Sequence, residues 1–355
     1  MGSPTFLDID DEVRGNEPLA VAYAAAEAVA AKDQNNLYLV SRYFADREKY
    51  LAFCAFYAVM RLVDDRIDAI PSRSELASDA KADEHRVVDF WERAVEACRA
   101  GAAPVLTEVP EGLPEVVPEL LAALTDASQR FPVPGVLWRN FFAAMHRDLD
   151  CHRFATYREF LEYAEGAAVA PTTIYLYLVA SGRSAPGEPY FLPDGFDLLG
   201  SGHQLGVFAY LGHILRDLAA DLATGREGLL YLAADDLETF GLTEAMLFAD
   251  LANRQASPQL RALVGELAAR SLAFLEGGRR LLAVLDGTLT PDCAFALALI
   301  MAIYQEVVDR IAACAYDPLT GKHQLSVGDK KRIAYRLAKR GGFFAPAEKV
   351  PAGPR

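Results

Sequence analysis

The 355-residue sequence predicts an all-α protein, built as a single domain of many packed helices. Alanine and leucine dominate its apolar segments, and both residues favour the helix. Most glycines and prolines lie between those segments, where they begin and end helices. The alternation of apolar and polar residues that marks a half-buried strand has no useful length in the chain. Because 52% of the residues are hydrophobic, the chain can bury a large core.

Apolar periodicity predicts the helices one after another, with proline or a capping Asp, Ser or Thr at several starts and glycine near several ends. The predicted helices are 18–31, 47–68, 83–99, 114–130, 134–148, 157–181, 203–224, 243–256, 259–285, 291–315 and 327–340. Segments 101–118 and 182–202 are the loops richest in Pro and Gly, yet helical periodicity resumes on both sides of each. We therefore predict one helical domain over 18–340, between a flexible N-terminus at 1–17 and a flexible tail at 341–355.

The chain is acidic, with a formal net charge of −14 and a pI near 4.9. Such a surface repels phosphate backbones, which excludes nucleic acid as a partner. A small diphosphate would bind an acidic cleft only through bridging cations or a local cluster of Arg and Lys.

Several features predict a soluble, cytoplasmic protein. The five cysteines are odd in number, widely spaced and without a CxxC pair, which favours buried, reduced thiols. Residues 1–15 are acidic and polar, unlike a secretory signal. The longest apolar runs, 51–63 and 293–304, are too short to cross a bilayer. Peripheral contact with a membrane and the oligomeric state stay open.

The first chemical motif closes an apolar helix with the sequence Arg-Leu-Val-Asp-Asp-Arg-Ile-Asp at 61–68. On a helix Asp64 and Asp68 lie about 40° apart on one face, and Arg61 lies one turn earlier on the same side. The preceding turns, 53–59, are apolar or aromatic nearly all round, so we expect a buried helix. Carboxylates there are costly unless a cation neutralises them. Taken alone, the motif fits equally well a helix that emerges into solvent at Asp64.

The second motif repeats this arrangement. Asp217 and Asp221 lie one turn apart on an apolar helix, Arg216 precedes them, and one turn before Asp217 lies His213. Two such acidic pairs on core helices suit Mg²⁺, which takes oxygen ligands and bridges to substrate phosphate. The metal would neutralise a diphosphate leaving group while Arg61 and Arg216 hold its oxygens. The pattern therefore predicts heterolysis of an allylic C–O bond.

The sequence resembles the squalene and phytoene synthase family in segments that follow that family's order. Segment 61–68 is similar to its first motif, and 213–243 is similar to its second motif with the downstream segment that usually follows. Segment 147–166 is similar to the family's Asp followed by a Tyr-bearing helix, and 303–311 matches its late Tyr helix. The resemblance extends over about 35–340. It implies the isoprenoid synthase fold, a helical bundle around a central cavity.

The resemblance also implies roles for individual residues. The implied metal ligands, which are also catalytic, are Asp64, Asp68, Asp217 and Asp221. The implied substrate-binding residues are Arg61, Arg216, Tyr210 and His213. The residues implied to face the reacting carbons or the leaving group are Tyr163 and Tyr304. The family joins two prenyl diphosphates, such as farnesyl or geranylgeranyl diphosphate, head to head through a cyclopropyl intermediate. The implied ion is Mg²⁺, with Mn²⁺ as an alternative, and the use of NADPH stays open.

Three positions depart from the family pattern. The Gln and Asn that precede the second motif are replaced by Tyr210 and His213, and the Asn often helps to hold a metal. The glycine-containing kink after the Tyr helix reads 166–171 here, where Pro171 can supply a kink by other means. The N-terminal phosphate-contact segment, 35–41, lacks the common Ser-Phe pair. These changes leave the product open.

Other patterns are assigned to structure. One cluster fits no zinc spacing and is interpreted as polar residues at a helix end; its members are His146, Asp148, Asp150, Cys151 and His152. Asp148 is the exception, because it matches a family position near the cavity. The glycines at 200–206 follow no predicted strand, which excludes a dinucleotide loop. The basic run at 329–340 is interpreted as a solvated face, with closure over diphosphate or contact with anionic lipid as alternatives.

Three functions remain open from the sequence. The leading one is a head-to-head prenyl synthase that gives a squalene-, dehydrosqualene- or phytoene-like product. The second is a divergent class I terpene synthase or prenyltransferase in which the carbocation has another fate. The third is a non-catalytic binding or assembly protein on the same fold, against which the four intact aspartates argue.

Overall fold

The computed structural model describes residues 17–70, 76–102, 109–150, 153–223, 231–320 and 323–340. Within them, extended pairing is confined to one isolated bridge between Gly182 and Phe191, and the all-α prediction is confirmed. In chain order the α-helices are α1 (Glu17–Ala30), α2 (Asn36–Ser41), α3 (Arg47–Asp68), α4 (Ser78–Arg99), α5 (Val117–Arg130), α6 (Gly135–Asp150), α7 (Tyr157–Ala164), α8 (Ala170–Ala180), α9 (Leu198–Ala223), α10 (Ala234–Thr239), α11 (Glu244–Asn253), α12 (Pro258–Leu282), α13 (Pro291–Ala313) and α14 (Val327–Arg340). Residue 17 already lies in α1; the other residues of the predicted flexible ends lie outside the described part of the chain.

Side-chain caps begin several of these helices. The carboxylate of Asp46 accepts hydrogen bonds from the first-turn amides of α3, and the hydroxyl of Thr156 does the same for α7. Ser257 caps α12, whose first turn also contains a proline. Such caps satisfy amides that have no partner inside the helix.

The helix α9 begins at Leu198, five residues earlier than the predicted start at 203. The prediction was wrong because it assigned Gly200 and Gly202 to a loop on their low helix propensity. Asp197 overrides that preference, since its carboxylate accepts a hydrogen bond from the amide of Gly200 at 2.9 Å. A Cβ at Gly202 would lie 1.9 Å from the hydroxyl oxygen of Thr173, so this glycine permits α9 to pack closely against α8.

A π-helical segment, Glu165–Val169, separates α7 from α8 within one continuous helical stretch. Pro171 follows in the first turn of α8. Its ring lacks an amide hydrogen and crowds the carbonyl four residues earlier, which accounts for the wider turn just before it. The predicted interruption at Pro171 therefore takes the form of a π-turn.

One hydrophobic core joins the helices, and α3 runs through its centre. Residues 49–60 of α3 are all buried, as the apolar sequence predicts. The helix α9 packs most extensively against α12 and also contacts α8 and α13. The helices α3 and α9 carry the two aspartate pairs out of this core into a shared cavity.

One described helix, Pro291–Ala313, is long and apolar enough by length and composition to cross a membrane. The sequence reading of its apolar run as too short was therefore wrong, because the helix continues beyond residue 304. Of its most apolar 18-residue window, 61% is buried inside the fold, which fits a core helix. Cytoplasmic location and peripheral membrane contact remain predictions.

Four cysteines are described, and all are free thiols. Cys54, Cys98 and Cys293 are buried, as predicted, whereas Cys314 is exposed. Cys151 lies outside the described residues.

Candidate active site

The ten residues singled out from the sequence line one cavity of about 670 Å³. They are Arg61, Asp64, Asp68, Tyr163, Tyr210, His213, Arg216, Asp217, Asp221 and Tyr304. They come from α3, α7, α9 and α13, so elements separated by up to about 240 residues in the chain meet here. The structure thus brings every candidate to one place.

The first aspartate pair emerges where α3 leaves the core. Arg61 lies 3.5 Å from Asp64 and 3.6 Å from Asp33, and it also pairs with Asp65. Lys32 lies 3.1 Å from the other oxygen of Asp65. Asp65 does not line the cavity, so Arg61 and Lys32 both pair with a carboxylate outside the cavity lining.

Ionisation of Asp64 is energetically unfavourable in this cavity. Burial, and next the neighbouring Asp68, raise the pKa of Asp64 to about 7, and Arg61 only partly offsets them. Asp148, which also lines the cavity, raises the pKa of Asp64 as Asp68 does. The first pair therefore lies in an excess of negative charge that a bound cation would relieve.

The second pair carries its own counter-ions. Arg216 donates from Nε to one oxygen of Asp217 at 2.9 Å and from Nη2 to the other. The Nε2 of His213 lies 2.9 Å from the second oxygen. Burial opposes ionisation of Asp217, but the hydrogen bonds from Arg216 and His213 outweigh it and lower its pKa.

Asp221 behaves like Asp64 rather than like its neighbour on α9. Burial and the charge of Asp217 raise the pKa of Asp221 to about 6, against the opposing charges of His213 and Arg216. Asp68 also contributes to this rise, and all four carboxylates line the same cavity. Four carboxylates thus converge from two helices.

Aromatic residues also line the cavity. The hydroxyl of Tyr163 donates to Asp148 at 2.8 Å, and the ring of Tyr210 stacks on Phe160 at 5.7 Å between centroids. Burial raises the pKa of both tyrosines well above its usual range. Their hydroxyls therefore stay neutral at ordinary pH.

Several cavity residues belong to neither aspartate motif, and the sequence alone did not identify them. Tyr57 lies one turn before Arg61 on α3, and its hydroxyl is hydrogen-bonded to the side-chain amide of Asn35. Tyr231 and Asp33 also line the cavity. The aromatic character of α3 predicted only that Tyr57 is buried; its position near Arg61 is the signal that could have identified it.

The basic run on α14 divides into two sets. Asp329 and Arg336 form ion pairs with residues of α13, at 2.9 Å and 3.0 Å respectively, and these hold α14 against the bundle. Lys330 instead lines the cavity, where burial and the charge of Arg216 lower its pKa. The interpretation as a solvated face is therefore wrong for Lys330.

A second, apolar cavity of about 50 Å³ continues from the first toward the core. The two share Leu37, Thr172, Ala209 and Tyr304. Its remaining walls are aliphatic or aromatic, from α8, α9 and α13. A polar, acidic cavity thus adjoins an apolar one, and this combination fits an amphiphilic substrate.

The donor set fits a hard divalent cation. The four carboxylates supply only oxygen ligands, the type that Mg²⁺ prefers while it keeps several waters. The raised pKa values of Asp64 and Asp221 show that their charge is not fully compensated by the protein. A separate Asp, Glu and His cluster at Asp89, Glu92 and His146 lies outside the cavity lining.

Comparison with known proteins identifies the family of this chain. The family model for squalene/phytoene synthase matches residues 30–330, so the chain belongs to that family. Phytoene synthase of Arthrospira platensis is 25% identical over 304 residues, covering 83% of this chain and 85% of that protein. Phytoene synthase of Mycobacterium tuberculosis is 26% identical over 298 residues, covering 81% and 85%.

Solved structures agree with the fold. A dehydrosqualene synthase in complex with ligand superposes with a TM-score of 0.67 at 22% identity, covering 91% of this chain and 97% of that one. Squalene synthase HpnC from Alicyclobacillus acidocaldarius gives 0.63 at 22% identity, covering 87% and 98%. The chain is therefore a prenyltransferase with the isoprenoid synthase fold, and its family supports head-to-head condensation of prenyl diphosphates.

Proposed function

We propose that this prenyltransferase ionises prenyl diphosphates with Mg²⁺ held by Asp64, Asp68, Asp217 and Asp221, and then joins two of them head to head. The observation that carries the proposal is the convergence of four carboxylates, two of them with raised pKa values, on one chamber. Bound Mg²⁺ would stabilise the charge that develops on the departing diphosphate. Farnesyl and geranylgeranyl diphosphate are the expected substrates.

Arg216 has two roles in this proposal. In the free enzyme its guanidinium is engaged by both oxygens of Asp217. A diphosphate offers the same planar fork a more highly charged partner, so substrate draws Arg216 away from Asp217. That exchange releases Asp217 from Arg216 when substrate enters, while His213 stays beside one of its oxygens. Arg61 and Lys330 supply further positive charge around the chamber.

The tyrosines act as neutral dipoles. With its pKa raised by burial, the hydroxyl of Tyr163 stays protonated and donates to Asp148. Its oxygen, and the ring faces of Tyr210 and Tyr304, then present partial negative charge to a carbocation without capturing it as a phenolate would. The apolar recess behind Tyr304 would hold part of a prenyl tail.

A product assay tests the proposal. The purified enzyme is incubated with C10, C15 or C20 prenyl diphosphate and Mg²⁺ or Mn²⁺, with and without NADPH, and the hydrocarbons are extracted for mass analysis. We expect a metal-dependent product with twice the carbon number of one substrate. Formation of a cyclic hydrocarbon from a single diphosphate would instead support the terpene synthase alternative, which the replacements at Tyr210 and His213 keep open.

A further inference from the structure

Two histidines that do not line the cavity form an unusual pair. His85 on α4 and His146 on α6 stack with ring centroids 5.0 Å apart, and their Nδ1 atoms lie 2.7 Å from each other. The Nε2 of His146 lies 3.2 Å from Asp89, and the Nε2 of His85 lies 3.4 Å from Asp150. The result is a chain of carboxylate, imidazole, imidazole and carboxylate.

Two neutral imidazole rings carry too few hydrogens for this row of four side chains. The contact between the two rings is a hydrogen bond, and each outer nitrogen lies within ion-pair distance of a carboxylate oxygen. A neutral imidazole carries one N–H and one lone pair, so His85 and His146 together supply two hydrogens, one of which lies between the rings. One of the two outer nitrogens therefore has a bare lone pair close to a carboxylate unless an extra cation, either a proton or a metal ion, lies there.

The end at Asp89 is the one built for a metal ion. Asp89 and Glu92 lie nearly one turn apart on α4, and one ligand atom from each lies within 4.8 Å of a nitrogen of His146. The other end already has a cation, since Lys81 lies 3.7 Å from Asp150. All three ligands are accessible to solvent to some degree, so an ion can enter.

We infer that Asp89, Glu92 and His146 bind one divalent transition-metal ion of the zinc type, with His85 and Asp150 as the hydrogen-bonded residues behind it. With the metal on Nε2 of His146, its Nδ1–H donates to Nδ1 of His85. The Nε2–H of His85 then donates to Asp150, and every contact is satisfied with neutral rings. This extends the usual pattern in which a metal-bound histidine donates its other N–H to a carboxylate.

The ligand chemistry separates this site from the catalytic one. One imidazole with two carboxylates suits Zn²⁺, Co²⁺ or Mn²⁺, whereas Mg²⁺ prefers oxygen ligands alone. None of its three ligands lines the cavity. Asp148, two residues from both His146 and Asp150, points the other way and accepts from Tyr163. The proposed site therefore uses a side of α6 other than the one that lines the cavity.

Cobalt binding in the presence of excess Mg²⁺ tests the inference on the intact protein. Mg²⁺ occupies the carboxylates of the cavity, and the visible absorption of Co²⁺ reports an imidazole-containing site. We expect one equivalent to bind to the wild-type protein and to be displaced by Zn²⁺. Asp217→Asn, which alters the cavity, should leave this binding unchanged.

Variants then assign the ligands. His146→Ala should abolish cobalt binding, and His85→Ala should weaken it about 10- to 100-fold, as loss of a residue behind a metal ligand typically does. His203→Ala is the matched control, because His203 bonds to Glu165 away from the site. Circular dichroism checks that each variant is folded, and His85→Ala still decides the question if His146→Ala is not. Equal cobalt affinity in the wild type and in His85→Ala would overturn the inference in favour of a shared proton. Loss of all cobalt binding in Asp217→Asn would overturn it as well.

Discussion

The two aspartate pairs have the same spacing but opposite electrostatic states. On α3, Asp64 has a pKa raised to about 7, because burial and Asp68 outweigh Arg61. On α9, Asp217 has a lowered pKa, because Arg216 and His213 overcome the effect of burial. Asp64 has too little positive charge around it, whereas Asp217 already has two hydrogen-bonding partners, Arg216 and His213.

This difference teaches how the protein can hold four acidic groups in one chamber before any ligand arrives. If both pairs were as poorly compensated as the first, mutual repulsion would act across the whole cavity. The guanidinium of Arg216 limits that repulsion on one side and is transferable to an anionic substrate. Under the proposed function, we expect a metal ion to bind first at the first pair, and the second pair to complete the site when substrate enters.

The largest expected effect comes from replacing one leading aspartate of each pair. Asp64→Asn and Asp217→Asn should each reduce turnover of prenyl diphosphate by more than about 100-fold, since even residues behind metal ligands contribute 10- to 100-fold. Diphosphate release under saturating Mg²⁺ measures this. Retention of near wild-type turnover in either variant would remove that residue from the metal site.

The same two variants should separate in their stability without metal. Asp64→Asn removes a repelled carboxylate, so the melting temperature in EDTA should rise. Asp217→Asn leaves Arg216 and His213 without their anionic partner, and should cost about 1–2 kcal/mol of unfolding free energy. Thermal melts in EDTA measure both, and shifts of equal sign would contradict the electrostatic difference between the two aspartate pairs.

The second expected effect is on pH dependence. An exposed Asp has a pKa near 4, whereas that of Asp64 is about 7. The folded protein therefore keeps a proton that the unfolded chain loses. This contribution to stability is fully present below about pH 4 and is lost as the pH rises through 7. Asp221 acts in the same sense near pH 6, while the lowered pKa of Asp217 affects stability only in more acidic solution.

Two measurements test the direction of this pH dependence. The melting temperature in EDTA should fall between pH 5 and about pH 7.5, and the fall should be smaller in Asp64→Asn. Mg²⁺ competes with the proton, so its affinity should rise by up to about tenfold per pH unit below pH 7. A Mg²⁺ affinity independent of pH over this range would contradict the raised pKa of Asp64.

A smaller effect is expected from Lys330, the cation of α14 that reaches the cavity. Lys330→Ala should raise the KM for prenyl diphosphate about tenfold and change kcat less, because an ionic contact with bound diphosphate is lost. The matched control is Lys331→Ala, since Lys331 is exposed on the same helix and does not line the cavity. Equal KM values for the two variants would place Lys330 outside the substrate site.

The smallest effect is expected from His213→Asn, which restores the residue that the family usually has there. Asp217 keeps its pair with Arg216, so turnover should stay within about threefold of the wild type, an effect of less than 1 kcal/mol. His213 also lowers the pKa of Asp221, so its loss should raise that pKa further and move the acidic limb of the pH–rate profile to higher pH. An unchanged acidic limb would show that His213 does not influence the metal site.

Much of the fold and of the site could be predicted from local patterns. The long apolar helices and their caps gave the all-α class, and the Asp-x-x-x-Asp spacing on α3 and α9 singled out residues that do line one cavity. Such signals lie within a few residues of each other, where helical geometry fixes which side chains share a face.

What could not be predicted depends on contacts between distant segments. Lys330 enters the cavity because α14 packs where it does, and no spacing within that helix indicates this. Tyr57 lies one turn before Arg61, but it is also one of several buried aromatic residues of α3. His85 and His146 meet from different helices, so the local run around His146 was interpreted as a polar helix end. The early start of α9 likewise needed Asp197 and the close approach of Thr173 to Gly202.

The π-turn at Glu165–Val169 has a consequence for how the chain tolerates insertion and deletion. A π-turn accommodates one residue more than an α-turn, and one residue corresponds to about 100° of rotation around a helix. Deleting Ala167 or Ala168 would therefore favour an uninterrupted α-helix and rotate α8 by about that angle relative to α7. Pro171 and Thr172 would leave the cavity wall, and other side chains of α8 would face the chamber in their place. The length of this short segment, more than the identity of its residues, sets which face of α8 the substrate meets.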